Sequence, residues 1–147
     1  MKPILAMLVC LALLSGSALA AEPTEKDAIA MVDKAVAYAK ANGRDKLVAE
    51  VNAKNPEFMQ GELYVVVVAL DGTRLAHPVN AKLVGKPIQE MVDVDGKEFG
   101  KEYMALLPKG KGWVDYKFKN PVTGKIEPKT TYLFKSTDFF ALAGIYK

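Results

Sequence analysis

The chain has 147 residues, 50% of them hydrophobic and 25% charged, with 11 Gly and 8 Pro. That is the composition of one folded domain, and it excludes disorder, collagen-like repeats and low complexity. The 20 Lys and Arg against 17 Asp and Glu leave a formal charge of +3, too small and too evenly spread for a nucleic-acid footprint, so function must come from a site.

Lys2, an apolar run over residues 4–14 and the small residues Ser15-Gly16-Ser17-Ala18-Leu19-Ala20 form the three parts of a secretory signal peptide. The run is shorter than the about 20 residues a membrane span needs. Cleavage after Ala20 is expected, leaving residues 21–147 as a single periplasmic domain. Cys10 is the only cysteine, and Leu8 and Val9 before it are too bulky for a lipidation signal. The exported domain should therefore rest on its core and not on disulfides.

Thr24 with Asp27 three residues on is a capping arrangement, and Ile29, Val32, Val36 and Ala39 recur at helical spacing until Asn42-Gly43. Asp45 is the expected cap of a second, shorter helix through Leu47, Val48 and Val51, ending before Pro56. Residues 64–70 are β-branched and apolar on both faces, the mark of a central strand. Asp71-Gly72 turns the chain into a return strand over residues 73–77, and a loop long enough to fold over the sheet runs from Pro78 to Pro87. Residues 88–92 allow a helical turn, and Phe99, Tyr103, Leu106 and Leu107 share one face of a helix that Pro108-Lys109-Gly110 ends. Strands over residues 113–118 and 125–134 flank the hairpin loop at residues 120–124, and an apolar strand over residues 139–146 closes the chain. The pattern predicts an α+β domain: an N-terminal helix packed on a five-stranded antiparallel sheet, with the helices gathered on one side.

One His and no Cys after residue 20 leave no transition-metal ligand set, and no cofactor is expected. A Ser-His pair would need His77 with Ser136, without a nucleophile elbow around the serine. Asp93-Val94-Asp95-Gly96 with Glu102 matches the tail of a calcium loop, but Met91 stands at its first position, which favours an Asp-Gly turn capping the next helix.

His77 ends a strand just before the covering loop, where it serves either as hydrogen-bonded architecture or as a ligand contact. Lys129, mid-strand among Ile126, Tyr132 and Phe134, must reach either solvent or a buried anion. Aromatics gather on the same strands: Tyr64, Trp113, Tyr116, Phe118, Tyr132, Phe139, Phe140 and Tyr146. A buried phenol needs a partner for its hydroxyl, which a small polar ligand can supply. With one Lys and one His, they can build a box for an anion.

The run Asp71-Gly72-Thr73-Arg74-Leu75-Ala76-His77-Pro78-Val79-Asn80 to Leu83-Val84-Gly85-Lys86 resembles the signature of single Cache domains of the second type. Residues 93–97, Gly112-Trp113-Val114-Asp115-Tyr116, residues 120–125, Glu127-Pro128-Lys129-Thr130-Thr131-Tyr132 and Ala143-Gly144-Ile145-Tyr146 are similar to that family in the same order. The resemblance implies a PAS-like fold whose pocket, between sheet and covering loops, binds small organic acids such as acetate, propionate, pyruvate or lactate. Family members are extracytoplasmic sensing parts of chemoreceptors and histidine kinases; this chain is expected to be a stand-alone secreted version acting through such a membrane partner.

On this reading Lys129 supplies the charge, His77 an imidazole donor, Tyr116 a phenol, and Trp113 sizes the pocket, with Tyr64 and Tyr132 as further lining. Alternation puts Lys129 and Tyr132 on opposite faces of one strand, so both line the pocket only if a bulge intervenes. The apolar stripe of the first helix allows a homodimer or simply packs on the sheet. Two alternatives stay open: an interaction module without a small ligand, and a small enzyme pairing His77 with Lys129 or Asp115 as acid and base.

Overall fold

The computed structural model describes residues 21–147, and the expected signal peptide, residues 1–20, lies outside them. The chain opens with α1 (Glu25–Asn42), begun by the expected capping box: the Thr24 hydroxyl accepts the Asp27 N–H, and the Asp27 carboxylate accepts the Thr24 N–H at 2.7 Å. The reciprocal pair satisfies donors that the helix itself leaves orphaned. Thr24→Ala is expected to lower stability by about 1 kcal/mol, read as a lower urea midpoint at unchanged slope.

Gly43, at φ 96°, adopts a backbone conformation that side chains resist and so lets α2 (Arg44–Asn52) follow at once. Asp45 is not its cap. Gly43 holds that position with no side-chain bond, and Asp45 lies in the first turn, where only its charge favours the helix dipole.

Six antiparallel strands form one sheet: β1 (Met59–Gln60), β2 (Leu63–Ala69), β3 (Arg74–Ala76), β4 (Lys111–Lys119), β5 (Ile126–Lys135) and β6 (Phe139–Tyr146). Their order is β1-β2-β6-β5-β4, with β3 also on β2. All five expected strands are present; β1 is the addition, too short to show any alternation in sequence.

The helices are not gathered on one side. Ala28, Val32, Ala35 and Val36 of α1 and Leu47 and Val51 of α2 pack on Val65, Val67, Ala141 and Ala143 of one sheet face. Phe99 and Tyr103 of α3 (Phe99–Leu106) pack with Ile88 on Val66, Val68, Leu133 and Leu142 of the other. The reason is β2 itself: apolar on both faces, it needs a cover on each.

The second cover is residues 77–98, which include two single-turn 3-10 helices, Ala81–Leu83 and Ile88–Glu90. It is tied to β3 through backbone bonds from Arg74 N–H to Lys86 O (3.1 Å) and from Gly85 N–H to Arg74 O (2.7 Å). A methyl group at Gly100 would stand 1.7 Å from the Ile88 carbonyl oxygen, so α3 reaches this cover only through glycine.

Asp93 does not cap α3, whose cap position is Glu98 without a side-chain bond. Its carboxylate instead accepts the N–H groups of Asp95 (2.9 Å), Lys97 (3.0 Å) and Lys117 (3.0 Å), pinning the cover to the edge strand β4. Both of its oxygens thus face N–H donors, the wrong environment for a cation. Among the described residues no group of three or more His, Cys, Asp or Glu is placed to hold a metal.

Candidate functional site

Between the sheet and the second cover lies a cavity of about 40 Å³, room by that measure for about three waters or for a small acid of similar bulk. The register builds its floor. Val114, Thr131 and Gly144 lie side by side on β4, β5 and β6, and Tyr116, Lys129 and Tyr146 form the next row. Val65 pairs with Ala143, so Tyr64 flanks Gly144. Gly144 leaves a gap in the first row, and the Lys129 chain leans into it.

A Cβ on Gly144 would stand 2.2 Å from Thr131 Oγ1, 2.7 Å from Thr130 O and 2.8 Å from Lys129 Cε. Gly144→Ala is therefore expected to displace the lysine and to cost about 1–3 kcal/mol through overpacking. Thermal unfolding checks it, and the variant should also lose any ligand stabilisation.

Lys129 is 4% exposed. Its Nζ donates to Tyr64 Oη at 3.0 Å and lies 4.3 Å from the Tyr64 ring centre, 4.9 Å from that of Tyr146 and 5.5 Å from that of Phe118. Aromatic faces attract an ammonium but do not replace its hydration. Burial pushes its pKa down to about 7, opposed only by the more distant Glu62 carboxylate.

His77 is also buried. Its Nδ1 accepts the Asn80 N–H at 3.0 Å, which places the ring proton on Nε2 and leaves Nε2–H as the remaining donor. Burial, then the charges of Lys129 and Arg74, push its pKa down to about 3, so the ring is neutral at physiological pH.

Arg74 is the charged lining residue that sequence reasoning missed. It and His77 are three apart and should alternate to opposite faces of a strand. A bulge changes this: Ala76 pairs with Val67 and Arg74 with Val68, with the register shift between them. Ala76 consequently enters the helix-side core while Arg74 and His77 both line the cavity. Asn52, at the end of α2, supports the bulge by donating to Leu75 O (3.2 Å) and accepting the His77 N–H (3.1 Å). The Arg74 guanidinium is 4% exposed and donates to Leu83 O (3.0 Å) and Pro87 O (3.5 Å), stapling the cover from inside.

The expected residues thus divide. His77, Lys129, Tyr64 and Tyr116 line one cavity. Trp113 and Tyr132 do not: they pair across β4 and β5, with ring centres 5.2 Å apart, on the face under α1. The register of β5 is continuous, so no bulge rescues Tyr132, and Trp113 cannot size this cavity. Asp115 pairs with Thr130 on that same far face and meets Lys147 Nζ at 3.4 Å, remote from His77. The cavity gains Tyr103 from α3 and Thr131 from β5.

No carboxylate or amide side chain lines the cavity. Its wall is rich in donors, with two basic side chains and a neutral imidazole N–H, and poor in acceptors.

The chain matches the family of single Cache domain 2 over residues 23–144. It belongs to that family. The Cache fold is also that of a periplasmic sensor domain of a chemotaxis protein, 22% identical with a TM-score of 0.64 over 82% of this chain and 88% of that one. A methyl-accepting chemotaxis protein from Vibrio parahaemolyticus is 18% identical, with a TM-score of 0.70 over 82% of this chain and 86% of its own. A Cache chemosensory domain described for carboxylic acid recognition is 22% identical, with a TM-score of 0.63 over 82% and 86%. Comparison with curated protein sequences gave no match. Among the described residues of this Cache domain, no helix is long and apolar enough to cross a membrane.

Proposed function

We propose that this Cache domain reversibly binds a short organic carboxylate of the size of acetate, propionate, pyruvate or lactate, without chemistry on it. The observation that carries the reading is the charge balance of the cavity: Lys129 and Arg74 are buried at its wall with no acidic side chain lining it, the carboxylates of Glu62 and Glu90 acting on them only from outside that lining. A buried cation without a counter-ion is costly, and an anion that supplies charge-assisted bonds removes that cost. His77 Nε2–H and the Tyr116 hydroxyl add neutral donors, while Val66, Leu142 and Phe118 offer an apolar bed for a short tail. Amino acids fit poorly, because an α-ammonium finds no carboxylate or amide side chain and two cations instead.

Binding and not catalysis is favoured because general acid-base work needs a poised group with a proton-exchanging partner beside it, and Lys129, at about 7, is the one lining group so poised. His77 is held neutral by its buried, electropositive surroundings, and Asp115 lies across the sheet. We further place the domain in the periplasm after removal of residues 1–20, passing its occupancy to a membrane chemoreceptor or histidine kinase.

The test is a thermal-shift series with acetate, propionate, pyruvate, lactate and glycine, since a ligand that binds only the folded state raises its melting temperature. Stabilisation by the acids and not by glycine is expected. No shift with any acid at millimolar concentration overturns the reading in favour of an interaction module.

A further inference from the structure

The hydrogen bonds around Lys129 run in one direction. Its Nζ donates to Tyr64 Oη at 3.0 Å. Tyr146 Oη gives its own hydrogen to Lys119 O at 2.8 Å, so in its bond with Tyr64 it accepts, and the Tyr64 hydrogen is turned toward Tyr146. Tyr64 therefore takes a hydrogen from Nζ and offers none back. In the amine form of Lys129, Tyr64 leaves the nitrogen lone pair free.

The surroundings favour that amine form. Nζ is buried against the rings of Tyr64, Tyr146 and Phe118, and no acidic side chain lines the cavity to hold an ammonium there. The Glu62 carboxylate acts only from outside, and burial brings the pKa down to about 7, so free amine is abundant at neutral pH. A surface lysine, titrating near about 10.4, is almost wholly protonated there.

Beside this nucleophile lie donors suited to an anion and a space of triatomic size. The cavity has room for about three waters. His77 lies against the same Tyr64 ring as Nζ, with ring centres 5.5 Å apart, and offers Nε2–H. Arg74 has guanidinium N–H groups beyond those that hold Leu83 and Pro87. The charges of Lys129 and Arg74 both act on His77, which places amine, imidazole and guanidinium in one electrostatic neighbourhood.

We propose that Lys129 is a reversible carbamylation site: its amine takes up carbon dioxide, and the carbamate oxygens are held by His77 Nε2–H and the Arg74 guanidinium. The Nζ lone pair forms the N–C bond, one C=O electron pair moves onto oxygen, and one N–H proton leaves to solvent. His77 does not take that proton, because Nδ1 is bonded to the Asn80 N–H and Nε2 already carries a hydrogen. The second N–H of the amine stays on Tyr64. The product is an anion beside Arg74, so the buried guanidinium gains a counter-ion through charge-assisted bonds. Carbon dioxide itself is neutral and enters without the cost of desolvating a charge. The carbamate does not rest on the carboxylate reading above, since a domain that binds no organic acid still carries it.

The experiment equilibrates the purified protein with isotope-labelled bicarbonate and carbon dioxide at pH 8, traps carbamates as ethyl esters with triethyloxonium, and locates them by peptide mass spectrometry. The α-amino group of the chain, an exposed amine with a pKa of about 7.7–8.0, is the internal standard: it matches Lys129 in free amine but lacks the buried donors. The carbamate equilibrium constant of Lys129 should exceed that of the α-amino group at least about 10-fold, the least expected from one charge-assisted hydrogen bond. The corresponding carbon resonance of the intact protein should vanish in Lys129→Met, and in His77→Ala, confirmed folded by its melting curve, the constant should fall toward that of the α-amino group. If His77→Ala does not fold, the comparison within the wild type and the loss in Lys129→Met decide the matter. No ester on Lys129, or a constant no larger than that of the α-amino group, overturns the proposal. Neither result touches carboxylate binding, which the thermal-shift series reads in buffer free of carbon dioxide.

Discussion

Lys129→Met abolishes stabilisation by every short carboxylate and, at the same time, raises the melting temperature of the unliganded protein. The two halves have one cause. Lys129 is 4% exposed and forms no ion pair among the described residues, so the folded protein holds a cation where water and counter-ions are excluded. Methionine fills similar volume without the charge. Even a buried ion pair is often replaced by apolar residues of similar volume at no cost or with a gain of about 1–4 kcal/mol, and an unpaired buried ammonium should gain no less, which for a domain of this size is a shift of several degrees.

The pH dependence identifies the source of the gain. Burial lowers the folded-state pKa of Lys129 to about 7, whereas an unfolded lysine titrates near about 10.4. Between those values the unfolded chain binds more protons, so wild-type stability from this group rises with pH. The gain from methionine is therefore full below pH 7 and fades toward pH 10. Thermal melts of both proteins at pH 6 and pH 9.5 check it; a variant that melts below the wild type at pH 6 would show that the ammonium is stabilising in place, through its aromatic neighbours.

Carboxylate affinity falls as pH rises above 7. Free Lys129 is half deprotonated near pH 7, and an anion beside it favours the ammonium, so binding above that pH takes up a proton. Affinity should drop by about tenfold per pH unit between pH 7 and the higher pKa of the bound state. The neighbours do not share this titration. His77, with a pKa of about 3, stays neutral, Arg74 stays charged despite its burial, and burial keeps Tyr64, Tyr103, Tyr116 and Tyr146 protonated. Calorimetry at pH 8.5 in two buffers of different ionisation enthalpy should reveal close to one proton taken up per ligand; pH-independent affinity from 6.5 to 9 would remove Lys129 from the contact set.

Such a response suits a sensor of small acids. On the proposed reading, uptake of a ligand anion together with a proton would make occupancy above pH 7 follow the product of the two concentrations, and the site would report acidification and acid supply together.

The sequence by itself determined the elements that local chemistry controls. The Thr24–Asp27 capping box, the apolar stripe of α1, the valine run of β2 and the hairpin at residues 120–124 follow from hydrogen-bond donors, periodicity and turn residues that act within a few positions of one another. His77, Lys129, Tyr64 and Tyr116 were legible as candidates because a basic or phenolic group on an otherwise apolar strand must find a partner. Strict alternation also separates Lys129 from Tyr132, and the continuous register of β5 keeps that separation.

Only the tertiary structure decided which side of the sheet carries the cavity, and so removed Trp113 and Tyr132, since both faces of these strands are apolar enough to be buried. It also decided Arg74. The bulge between Val67 and Val68 changes the face of a side chain without changing its residue type, and it is held by Asn52 from a helix more than twenty positions away. Alternation is a local rule, whereas a bulge is set by what packs against it. Arg74 and His77 therefore share one cavity for a reason that no window of sequence around either contains.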